Sequence, residues 1–218
     1  MITTVTLPPP TIDSLARSVA AFNAIPNVDR AELRFATETA PAADLGRADH
    51  RAELLRFLNA WGCRIRVPRA GEPDFFDAGI GAWWAQLRHP LPRTPLHRLG
   101  DSTIARLATA FEALRTTRIA ATRTLGSTAA AKALYAMRPD TVMPWDAAIA
   151  ERLDGGRDGA AFARHLALGR QWAIGLLTEV AARDPRIGAR RLPAYLGRGS
   201  VSLAKILDEY AYLMITRA

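Results

Sequence analysis

The chain has 218 residues and a net charge of +8, and 27 of its 29 basic residues are Arg; only Lys132 and Lys205 are Lys. With 49% hydrophobic and 23% charged residues, the composition is that of a globular protein of one domain or two small ones, not of a disordered chain. No apolar run approaches the ~18 residues of a membrane span, residues 1–10 lack a signal-peptide pattern, and a single Cys63 excludes internal disulfides and zinc sites built on several cysteines, so a cytoplasmic protein without membrane association is expected.

Residues 1–10 (MITTVTLPPP) read as an extended, mobile leader, because three prolines cannot enter a helix interior. The rest, 11–218, reads as a single all-α domain, with the proline-broken stretch near 89–100 as the candidate divide between two lobes. Ile12, Leu15, Val19 and Phe22 share one helical face. Asp49 can cap a helix through Leu54, Phe57, Leu58 and Trp61 that ends at Gly62. Cys63–Pro68 alternates and is the one place for a short strand. A buried helix is expected from Phe75 to Leu87, weakened by Gly79 and Gly81. Asp101 then caps a long helix reaching Ile119, and Ser127 caps the next one, to Met137. Asp146 caps a short helix, Phe162–Ala182 forms a long one, and 200–217 closes the chain.

The excess of Arg and Ala fits the codon bias of a GC-rich genome. In such a chain a surviving Lys marks a position where Arg would not serve, through size or the need for an amine that can lose its proton.

The stretch LGSTAAAKALYAMRPDTVMPWDAAIAERL, from Leu125 to Leu153, runs from a Gly-containing hairpin through a helix and a Pro-rich link to an Asp before another helix. This order resembles the helix-hairpin-helix DNA glycosylase superfamily, in particular its 8-oxoguanine and endonuclease III-like branches. The resemblance implies an all-α, glycosylase-like fold with DNA as partner. Gly126, Ser127 and Thr128 would offer backbone N–H groups to a phosphate, as helix N-termini do. Asp146 would be the essential carboxylate for cleaving the N-glycosidic bond of a damaged base, and Lys132 its helper. A flipped base needs an aromatic pocket, to which Trp145 and Trp61 are assigned, while Arg64, Arg66 and Arg138 are the candidate phosphate contacts.

The sequence departs from the family pattern at three points. The hairpin keeps one glycine where the family usually has two. Thr128 stands where lyase-active members carry a Schiff-base Lys, with Lys132 one turn later on the same face. Ala147 and Ala148 replace the polar pair that follows the family's Asp. Each residue also has a plainer reading: Asp146 as an N-cap, Lys132 as a solvated charge, Trp145 as core and Gly126 as a helix stop.

Two basic sets accompany this stretch. Arg56, Arg64, Arg66 and Arg69 surround the FLN-x-W pattern that ends at Trp61, a pattern similar to one in uncharacterised bacterial proteins that implies no activity. Arg183, Arg186, Arg190, Arg191 and Arg198 flank Tyr195. Lys205 reads as an intrahelical ion pair with Asp208 and Glu209. Cys63 has two readings, an activated thiol beside Arg64 and Arg66 or an inert buried one. His50, His89, His97 and His165 form no metal pattern, and no Ser elbow, Walker loop or dinucleotide motif is present, so no metal or cofactor is expected. The alternatives to an enzyme are a non-catalytic nucleic-acid-binding module on the same fold and a helical protein-interaction domain.

Overall fold

The computed structural model describes residues 5–87 and 89–216. It is all-α: among the described residues there are ten α-helices, one 3-10 turn and a single isolated antiparallel bridge. The helices are α1 (Ile12–Asn23), α2 (Arg30–Glu38), α3 (Ala48–Ala60), α4 (Phe75–Ala85), α5 (Asp101–Thr116), α6 (Ser127–Met137), α7 (Ala147–Asp154), α8 (Gly159–Arg183), α9 (Leu192–Tyr195) and α10 (Leu203–Thr216).

Local chemistry starts many of them. Thr11 and Ser14 form a capping box on α1, which satisfies N–H groups that no helical carbonyl can reach. Asp74, Asp146 and Asp158 each accept a backbone N–H of the helix they open. Gly155, at φ +65°, ends α7 in the left-handed region open to glycine. Arg47, not Asp49, is the N-cap of α3, and Asp49 ion-pairs with it at 2.6 Å.

Helix α8 is the long element of the core and packs against α5, α7 and α10, while α1 lies along α10. On the other side α3 contacts α2, α4 and α6. One continuous apolar cluster links both groups, from Leu7 to Ile215. At its centre the rings of Phe111 and Phe162 stack with centroids 4.2 Å apart, and Trp145 meets both edge-on.

Several expectations are corrected here. No strand forms at 63–68; the Asn59 amide instead brackets Ile65, donating to its carbonyl at 2.8 Å and accepting its N–H at 2.7 Å, and so holds the segment as a loop. Helix α5 opens at Gly100 and stops at Thr116, because residues 118–124 fold back as a tight hairpin with Arg118 paired to Thr124. Gly79 does more than weaken α4: a β-carbon there would lie 2.4 Å from the Arg118 carbonyl, so the glycine lets this hairpin dock. Residues 5–10, expected as a mobile leader, are tied down, with the Val5 N–H donating to the Arg152 carbonyl at 2.7 Å and the Tyr210 hydroxyl to that of Pro8 at 2.9 Å.

Candidate functional site

Both lysines of the chain meet in one place. A cleft of about 170 Å³ is walled by Phe22 of α1, Trp61 after α3, Lys132 of α6, the link Pro144–Trp145–Asp146, and Lys205, Asp208 and Tyr212 of α10. The Lys132 ammonium donates to the Trp61 carbonyl at 2.7 Å and stands 5.6 Å from the centre of its ring. The Lys205 ammonium lies 4.5 Å from the centre of the same ring. An ammonium over an indole face is held by the ring's quadrupole, and most strongly where water is excluded. The opposing elements thus meet on Trp61, whose ring also stacks on Tyr135 at 5.4 Å.

Asp146 is a cap and a cleft residue at once. Its Oδ1 accepts the Ile149 N–H at 3.0 Å, while Oδ2 takes no hydrogen bond from a described residue. The link that presents it is fixed from behind by His165, which is fully buried. The His165 Nε2 donates to the Pro144 carbonyl at 3.1 Å, and its Nδ1 lies 3.3 Å from the buried Asp154 carboxylate. Outer hydrogen bonds of this kind orient the group in front of them.

Behind the cleft is a network of buried charge. Lys205 pairs with Asp208 at 3.1 Å and lies 3.7 Å from Glu209. Arg198 joins Glu209 to Asp29, and Glu32 accepts from the Tyr135 hydroxyl at 2.9 Å. Burial acts to lower the Lys205 pKa, but Asp208, Glu209 and Glu32 outweigh it, so the ammonium stays charged. Burial raises the Asp208 carboxyl, and Lys205 only partly offsets this. The Glu32 carboxyl, with a hydroxyl but no ion pair against it, is pushed up to about 7.

The remaining candidates separate clearly. Gly126 is the N-cap of α6 at φ +81°, and no side chain caps this helix. Ser127 is not the expected cap: it is the first helical residue, and its hydroxyl donates to the Arg157 carbonyl. Thr128 is half-buried in the same first turn. Arg64 and Arg66 are exposed on the loop after α3, with Arg66 paired to Glu72 at 2.7 Å. The Arg123 guanidinium reaches from the hairpin to the Arg64 carbonyl at 3.2 Å, which ties this loop to the approach to Gly126.

Three assignments are corrected. Arg138 is buried, and its guanidinium donates to the carbonyls of Leu91 and Met137, so it closes α6 and offers nothing to a phosphate. The Trp145 ring, 1% exposed among Phe111, Phe162 and His165, is core rather than an open stacking face, although the residue borders the cleft. Arg198 likewise leaves the C-terminal basic set for the buried network. Burial pushes the Cys63 thiol up against the pull of Lys132 and Arg123, so it is the inert reading that applies.

Sequence reasoning paired Lys205 with Asp208 and Glu209, as the structure has them, but did not bring that group to Asp146, and it assigned no site role to Phe22, Tyr212 or His165. The rarity of Lys was the one available signal. Among the described residues there is no group of three or more His, Cys, Asp or Glu placed to hold a metal ion, and no helix is long and apolar enough to cross a membrane. Comparison of the chain with family models, curated proteins and solved structures finds no match.

Proposed function

We propose that the chain is a DNA-binding protein of the helix-hairpin-helix glycosylase type, in which Asp146 acts on the N-glycosidic bond of a nucleotide drawn into the cleft. The observation that carries this reading is the convergence of Asp146, Lys132 and Lys205 on one partly aromatic cleft. Loss of a base leaves positive charge on the sugar and negative charge on the departing ring. The open Oδ2 of Asp146 suits the first, and two fixed ammonium groups suit the second. Approach to DNA falls to the uncapped start of α6 and the exposed Arg64, Arg66, Arg118 and Arg123 beside it.

The chemistry is hydrolysis without strand cleavage. Thr128 supplies no amine, and the Lys132 ammonium is already engaged with the Trp61 carbonyl. Duplexes carrying oxidised, alkylated or deaminated bases test the reading: abasic product is expected from one class and lost in Asp146→Asn. If no lesion yields abasic product, or if Asp146→Asn keeps full activity, the catalytic reading fails. The small cleft, with the Lys205–Asp208 pair forming part of its wall, favours a second reading, a module on the same fold that binds nucleic acid without turnover. Its signature is salt-dependent binding with no product.

A further inference from the structure

A second basic surface lies at the opposite end of α6 from Gly126. A groove of about 450 Å³ runs between the 3-10 turn Leu96–Arg98 and the segment 186–191, lined by His97, Arg98, Arg186, Arg190 and Arg191 with Asp140 as its one acidic residue. Arg186 is paired to Asp184 at 2.8 Å. The guanidinium groups of Arg98, Arg190 and Arg191 donate no hydrogen bond to, and form no ion pair with, any described residue, and all three are exposed. Like charges facing one groove repel, and the arrangement gains most from a bound polyanion. Beyond Arg191 comes Tyr195, one helical turn on, with its N–H donating to the Arg191 carbonyl at 2.9 Å. This tyrosine is 53% exposed.

We propose that this groove and Tyr195 bind a single-stranded stretch of nucleic acid, the arginines taking successive phosphates and the tyrosine ring stacking on a base. A lone phosphate ion would not fill the groove or use the ring, whereas a strand presents charge and aromatic faces at regular intervals. Guanidinium forks match phosphate oxygens in pairs, which suits Arg over Lys at these positions. The inference rests on nucleic acid as partner but not on any chemistry at Asp146.

The test is anisotropy of a labelled single-stranded oligonucleotide across a salt series, with the full chain. The wild type binds with a steep salt slope. The triple variant R98Q/R190Q/R191Q loses about 2 from the magnitude of that slope, at roughly 0.7 per strand phosphate. Tyr195→Ala weakens binding about tenfold with the slope unchanged, and Tyr195→Phe restores it because the stacking face returns. An unchanged slope and affinity in the triple variant overturns the inference while leaving the function proposed above intact. So does binding to duplex but not to single strands, or micromolar binding of inorganic pyrophosphate that competes with the strand. No binding to either form of DNA removes both readings.

Discussion

Lys132 and Trp61 are 71 positions apart in sequence, yet the ammonium of one donates to the main-chain carbonyl of the other at 2.7 Å. The bond joins α6 to the end of α3 and requires a compact cation. Lys132→Met is expected to lower stability by about 1–2 kcal/mol through the unpaired carbonyl. Lys132→Arg rescues it only in part, because the larger planar guanidinium favours stacking on the indole face over aiming one N–H at the carbonyl. Urea midpoints of the three proteins measure this; an Arg variant as stable as the wild type contradicts it.

Under the proposed function Asp146 has two jobs, cap and catalytic carboxylate, that substitution can separate. Asn caps a helix about as well as Asp, so Asp146→Asn melts within a few tenths of a kcal/mol of the wild type, whereas Asp146→Ala loses about 1 kcal/mol with the cap. If the proposed chemistry holds, base release is lost in both. Thermal melts alongside product assays distinguish a missing charge from a damaged fold.

Glu32 makes stability depend on pH with a definite sign. Burial pushes its carboxyl from 4.5 to about 7. Between those values the unfolded chain releases the proton while the folded chain keeps it, so each step up in pH favours unfolding until about 7. The loss reaches at most about 3 kcal/mol. The drop in urea midpoint between pH 5 and pH 8 is therefore smaller in Glu32→Gln than in the wild type, and equal drops would show that Glu32 ionises normally.

Gly79→Ala reverses the usual rule for a helix interior. Alanine is the better helix former by about 1 kcal/mol, but its methyl group would lie 2.4 Å from the Arg118 carbonyl and 2.9 Å from the Thr117 side chain. The hairpin must move, and a net loss of about 1–3 kcal/mol is expected. Chemical denaturation reads it directly, and a stabilised variant would mean that the hairpin yields freely.

What could be read from the sequence was local. The apolar spacing of α1, the long face of α8 and the Asp146 cap depend on neighbours within a few residues. Pattern and caps resolve such features. The early end of α5 was not legible, because the apolar Ile119 continues the helical spacing while the hairpin that contains it is held by Gly79 of another helix. Arg138, Arg198 and Trp145 read as surface or pocket residues by type. Carbonyls, carboxylates and rings from distant segments bury them. Lys205 was visible as an oddity of composition, but its place over Trp61 depends on how α10 meets α3.

That meeting sets an order of events as the chain folds. Trp61 lies in the first third of the sequence and Lys205 in the last helix, and closing so long a loop is slow compared with forming any single helix. The Asp146 cap needs only its own turn, since its partner Ile149 is three residues away, whereas the cleft around it needs the last helix. A chain arrested before Leu203 would carry the carboxylate and the hairpin, but no cleft. Docking of the last helix and arrival of the second ammonium on the indole are therefore one event, and emission from a variant that keeps Trp61 as its single tryptophan should report it.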